Sequence, residues 1–150
     1  MKGTKDKKIY KKKKSRIYQT TDGYLRNNAK NKKKRLVIVA DERKSDGAFA
    51  VVKIHRKSNK AGNYYVDNLV LSPKDHTSIK DDSIVETRVI FGIKNKSGYK
   101  PIYEGDLVSM NDRLSLCEYL KLKRQLGGKT RKNRKTHKKT LKRWKKHFKK

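Results

Sequence analysis

The chain has 150 residues, with 44 Lys and Arg against 14 Asp and Glu, a formal net charge of +30 at pH 7 and 33% hydrophobic residues. That hydrophobic share is thin for a globular domain, and no run approaches the ~20 apolar residues that cross a bilayer. The single cysteine, Cys117, excludes an intrachain disulfide and a multi-cysteine zinc site, and the four histidines have no metal-ligand spacing.

Charge placement divides the chain. Residues 1–35 hold 15 basic and 2 acidic side chains, residues 36–128 hold 16 and 12, and residues 129–150 hold 13 and none. A centre of roughly 90 residues, large enough to fold alone, therefore lies between two basic arms. No apolar stretch follows the lysines at 11–14, so the N-terminus does not read as a secretory signal. With one thiol, a reducing, cytoplasmic setting is expected.

In chain order, residues 1–31 read as a mostly flexible arm, having too little apolar surface to offset ordering entropy. Within it, Ile17-Tyr18 and Tyr24-Leu25 flank Thr20-Thr21-Asp22-Gly23 and suggest a first strand or hairpin over 16–25. Lys32, Lys33, Lys34 and Arg35 then form a basic loop. Two β-branched runs follow, at 35–40 and 49–55, joined by a loop with the Asp46-Gly47 hairpin signal. Further strands are expected at 63–71 and 83–91, with a shorter one at 101–104. Short strands separated by Gly, Asn, Asp and Pro predict a mainly β fold, a small barrel or sandwich, and not a βαβ sheet. At Ser109 the period changes. Ser109 and Asp112 fit a capping box opening a helix that runs to Leu126, with Gly127-Gly128 as its stop. Met110, Leu114, Leu116, Cys117 and Leu120 share one arc of that helix, and Tyr119, Leu122 and Leu126 the other. The second patch packs inside the domain or forms a homodimer surface. Cys117 reads as a small core residue.

The C-terminal arm repels itself until its charges are neutralised. His137, Leu141, Trp144 and Phe148 then fall on one helical face. Arg131, Arg134, Lys138, Lys139, Lys142 and Arg143 are candidates for phosphate contacts, and Trp144 and Phe148 for base stacking. An anionic membrane or an acidic protein would neutralise the same arm. Lysine runs at both ends, with a further basic loop at 30–35, favour a nucleic acid: RNA foremost, DNA as the alternative.

The order of pieces over residues 32–126 resembles the PemK/MazF-like family of toxin endoribonucleases. Lys34-Arg35-Leu-Val-Ile-Val-Ala-Asp41 is similar to the family's first matched strand and its loop. Phe49-Ala-Val-Val-Lys-Ile-His55 is similar to the next strand. Residues 71–85, ending Asp-Asp-Ser-Ile-Val, look like the turn before the family's Asp-Ser-x-Val. Arg88-Val-Ile-Phe-Gly-Ile93 takes the place of a further strand, and Gly105-Asp-Leu through Leu126 that of the closing helix. The resemblance implies an SH3-like barrel with a C-terminal helix and metal-free RNA cleavage needing no cofactor. It also implies a small acidic antitoxin as partner. By the same resemblance Arg43, with Lys44 beside it, takes the place of the family's cation. His55, followed by Arg56, stands where the family has Thr or Ser, and a histidine can move the proton. Leu36 in place of the family's Pro and the absence of its Gln/Arg spacing after Arg88 are departures. The alternative reading is a nucleic-acid-binding accessory protein, on RNA or on plasmid or phage DNA, that does not cut.

Overall fold

The computed structural model describes residues 13–56 and 68–126. Among the described residues eight strands occur in chain order: β1 Arg16–Thr21, β2 Lys34–Glu42, β3 Phe49–Arg56, β4 Val70–Leu71, β5 Ser83–Ile90, β6 Ile93–Asn95, β7 Gly98–Lys100 and β8 Val108–Arg113. Helix α1, Asp22–Arg26, follows β1, a 3-10 turn spans Glu104–Asp106, and helix α2, Leu116–Leu126, ends the described chain. The fold is mainly β. Six strands in the order β4-β5-β3-β2-β1-β8 make one antiparallel sheet curled into a half-barrel, and β6 and β7 form a separate ribbon.

The β-branched runs form the middle of this sheet because both of their faces are covered. Residues 49–55 of β3 are all buried. One face carries Ile17, Ile38, Val52, Ile54 and Val85 and packs against Leu114, Tyr119, Leu122 and Leu126. The other carries Tyr18, Val37, Val39 and Val51 and is covered by Leu25, Ile93, Ile102 and Leu107. Buried Gln125 ties α2 to the sheet: its Oε1 accepts from Leu69 N at 2.7 Å, and its Nε2 donates to the Val85 and Glu86 carbonyls, each at 3.2 Å.

Several expectations are corrected. Of the strand or hairpin expected over 16–25, the strand forms but stops at Thr21: β1 lies between β2 and β8, and the Asp22-Gly23 pair opens α1, whose N-cap Thr21 accepts from Tyr24 N at 3.0 Å. Gly23 is required there, because a Cβ would collide with the carbonyls of Asn28 and Asn31. Residues 101–104 make no strand. Pro101 has no N–H for a ladder, and Ile102 is buried with its carbonyl accepting from Phe49 N at 2.7 Å.

Ser109 to Asp112 is strand, not helix. The capping box lies further on, where Ser115 N donates to Glu118 Oε1 at 2.9 Å and Glu118 N donates to Ser115 Oγ at 3.2 Å. The patch offered for self-association, Tyr119, Leu122 and Leu126, is buried in the domain's own core. Cys117, expected in the core, is exposed. Of the strand expected at 63–71, residues 63–67 lie outside the described residues, as do residues 1–12, the Gly127-Gly128 stop and the C-terminal arm.

Among the described residues no helix is long and apolar enough to cross a membrane. Truncating Leu122 to Ala should cost about 2–5 kcal/mol in denaturant unfolding. Leu120→Ser, at a side chain 54% exposed, should change stability by less than about 0.5 kcal/mol.

Candidate functional site

A groove of about 690 Å³ opens where β2 begins and β3 ends. Lys33, Lys34, Arg35, Arg56 and Lys80 line it against one carboxylate, Asp81, over an apolar floor that includes Leu36, Ile54, Ile79 and Met110. Arg56 and Asp81 pair at 3.2 Å across the mouth, both well exposed. In such a setting the ion pair adds little, and Arg56 can exchange Asp81 for another anion.

Behind the groove lies a buried polar chain. Arg35 grips Asp22 through two parallel bonds, Nε to Oδ1 at 3.0 Å and Nη2 to Oδ2 at 2.9 Å. Its Nη1 is 3.0 Å from His55 Nδ1. A guanidinium can only donate, so Nδ1 accepts and the ring proton sits on Nε2, which is 3.0 Å from Glu86 Oε1. Lys53 Nζ is 3.7 Å from Asp22 Oδ1. The hydrogen bonds from Arg35 hold the Asp22 carboxyl below the usual carboxylate range, against its burial. Burial pulls Lys53 down, opposed by Glu86 and Asp22. Arg35, Lys53 and His55, from β2 and β3, lie on the same sheet face as Val37 and Val51, so the second apolar face ends in ion pairs.

Of the residues predicted from sequence, Lys33, Lys34, Arg35, His55 and Arg56 converge on this groove. Lys32 is exposed in the connection just before Lys33. Arg35 and His55 are engaged with buried partners, so they shape the groove more than they offer it free donors. Arg43 and Lys44 lie elsewhere. Arg43 clasps Asp46 in the β2–β3 turn (2.8 and 2.6 Å), and Tyr103 OH donates to the same carboxylate at 3.0 Å. Glu42 pairs with Phe49 while Leu36 pairs with Ile54. At ~3.3 Å per residue, Arg43 and His55 are therefore about 20 Å apart along the hairpin. This register does not bring the two together within one chain. Arg131, Arg134, Lys138, Lys139, Lys142, Arg143, Trp144 and Phe148 lie outside the described residues.

Sequence reasoning missed Lys80 and Ser78. Lys80 sits beside Asp81 and Asp82 in the chain, Ser78 has no basic residue next to it, and only the pairing of Arg56 with Ser83 brings their loop to the groove. It also missed His76, which anchors that loop and is 3% exposed. Its Nε2 lies 2.9 Å from both Glu118 oxygens, and its Nδ1 lies 3.1 Å from Asp112 Oδ1. The Glu118 bond, helped by Asp112 and opposed by burial, pushes His76 from 6.5 up to about 9. For Asp112 and Glu118 burial acts upward. The hydrogen bonds outweigh it, from Ser78 first for Asp112 and from His76 first for Glu118, and both carboxyls lie below their usual values. The two carboxylates occupy opposite ring nitrogens and do not converge on a common point. Among the described residues no group of His, Cys, Asp and Glu is arranged to hold a metal ion.

A scan against protein-family models finds no match for this chain, and a search of curated proteins finds no significant one. The groove and its charges are thus the ground for any functional reading.

Two outcomes are expected. Asp22→Ala would leave Arg35 buried without its counter-ion and Lys53 with Glu86 alone, and unfolding by denaturant should show a loss of about 3–5 kcal/mol. His76 binds its proton more tightly folded than unfolded, so its stabilisation is complete below about pH 6.5 and is lost as pH rises through about 9. The thermal midpoint should therefore fall between those pH values in the wild type and stay level in His76→Gln.

Proposed function

We propose that this protein binds nucleic acid, RNA foremost, by laying a phosphate backbone along the basic groove, and that it does so without cutting the strand. The observation that carries this reading is the convergence of Lys33, Lys34, Arg56 and Lys80, from three separate chain segments, on one groove with an apolar floor. Lysine and arginine release condensed counter-ions when they meet phosphates, which supplies affinity without sequence preference. The apolar floor offers a surface for sugar or base edges. The basic arms add charge to the same field and raise the rate of encounter.

The curled antiparallel sheet followed by one helix is compatible with an SH3-like barrel of the PemK/MazF kind, and we read the fold so. The cleaving version of that reading, with an acidic antitoxin as partner, is less well supported. General acid–base work needs a side chain within hydrogen-bond reach of the reacting group and a cation beside it. His55 Nδ1 accepts from Arg35, its buried Nε2 stands beside the Glu86 carboxylate, and Arg43 lies at the far end of the hairpin.

Fluorescence anisotropy with a labelled RNA and the matching DNA, across a salt series, tests the proposal. Replacing Lys33, Lys34, Arg56 and Lys80 together with Gln should reduce the slope of log K against log salt by about 3. RNA incubated with the protein in EDTA should stay intact. An unchanged slope would remove the groove from the interface. Cuts lost in an Arg43→Ala, His55→Ala double variant would restore the nuclease reading.

A further inference from the structure

The loop joining β4 to β5 has two sides. Ser78, Ile79, Lys80 and Asp81 form one wall of the groove. On the other side His76 is held between Asp112 of β8 and Glu118 of α2. Asp112 also accepts both the amide N–H and the hydroxyl of Ser78. Two residues of the loop are thus fastened to one carboxylate. Ile79 N donates to the His76 carbonyl at 3.2 Å, so a single tight turn separates the anchored ring from Lys80.

We propose that the His76–Asp112–Glu118 cluster is the positioning element of the nucleic-acid groove, fixing the wall that presents Lys80 to phosphate although His76 itself stands outside the contact. The proposal rests on the nucleic-acid reading above.

The geometry carries it. Both ring nitrogens face carboxylates, and only a ring protonated at both can donate to both. A neutral ring donates once and turns a lone pair toward the remaining carboxylate, so loss of one proton breaks one of the two ties. The charged and polar groups around the ring are Glu118 and Ser115 at the start of α2, Asp112 and Arg113 of β8, and Asp75 of the loop itself. The two carboxylates in contact with it favour the charged ring, consistent with its upward shift to about 9. Lys80 is exposed and takes no part in the cluster. A change in His76 therefore reaches it through the loop backbone and not through direct charge contact.

The test is RNA affinity of the full chain at 0.1 M salt, from pH 7 to 9.5, for the wild type, Lys80→Gln, His76→Gln and the double variant. One lost phosphate contact at that salt weakens binding about fivefold to eightfold. At pH 7 each single variant should show that loss, and the double variant should be no weaker than either single one. The wild type should lose affinity by up to the same factor with a midpoint near pH 9, while Lys80→Gln changes little. Additive losses in the double variant, or parallel pH profiles for the wild type and Lys80→Gln, would overturn the positioning role and leave the groove reading standing. Absence of RNA binding at pH 7 in low salt would instead overturn the groove reading itself. If His76→Gln fails to fold, the two pH profiles decide alone.

Discussion

The strands β2 and β3 lie between two layers, and this double burial governs much of what surrounds them. A strand covered on one face can turn its polar residues to water. Lys53 and His55 cannot, because the face they share with Val51 is covered as well. Each needs a partner inside the protein, since an unpaired buried charge costs far more than a paired one. Asp22 and Glu86 supply those partners, and Arg35 links them. The short helix α1 follows from the same need: it delivers Asp22 to the end of the sheet where the cations are. The exposed groove begins where this buried chain stops, with Arg35 and His55 belonging to both.

The same logic accounts for the sign of the surface. The chain is very basic, yet many of the described acids are engaged within the fold. Asp22 meets Arg35, Asp46 meets Arg43, Glu104 meets Lys13, and Asp112 and Glu118 share His76. Each such pair cancels one acid against one base, so the sign of the field is set by the lysines and arginines in excess. At the groove one lining carboxylate, Asp81, stands against Lys33, Lys34, Arg56 and Lys80, while Arg35 is already paired with Asp22. A phosphate backbone meets that field without having to displace a buried pair.

The β-branched runs and the Asp-Gly turn made β2, β3 and β5 legible from sequence, since alternation and turn chemistry are local properties. The Lys33 to Arg35 cluster and Arg56 were legible as basic residues for the same reason. β8 was misread because Ser109 and Asp112 have the spacing of a capping box, while the pair that caps the helix is Ser115 and Glu118. Local pattern cannot separate the two. The choice falls to β1, whose free edge takes residues 108–113 as a strand. Likewise Tyr119, Leu122 and Leu126 stand out as an apolar stripe in the sequence, but whether that stripe meets the sheet or a second chain depends on where the helix docks.

The sequence by itself determined the β character of the centre, the presence of one C-terminal helix and the basic character of the chain, because these follow from residue type and spacing over a few positions. Tertiary structure alone decided which residues meet. The antiparallel register set Arg43 and His55 at opposite ends of a hairpin, and the β3–β5 pairing carried Lys80 to Arg56. The docking of α2 and β8 against one loop put His76 between two carboxylates. Each of these meetings joins residues far apart in the chain. Their geometry is set by strand pairing and burial summed over the whole domain, which no short stretch of sequence contains.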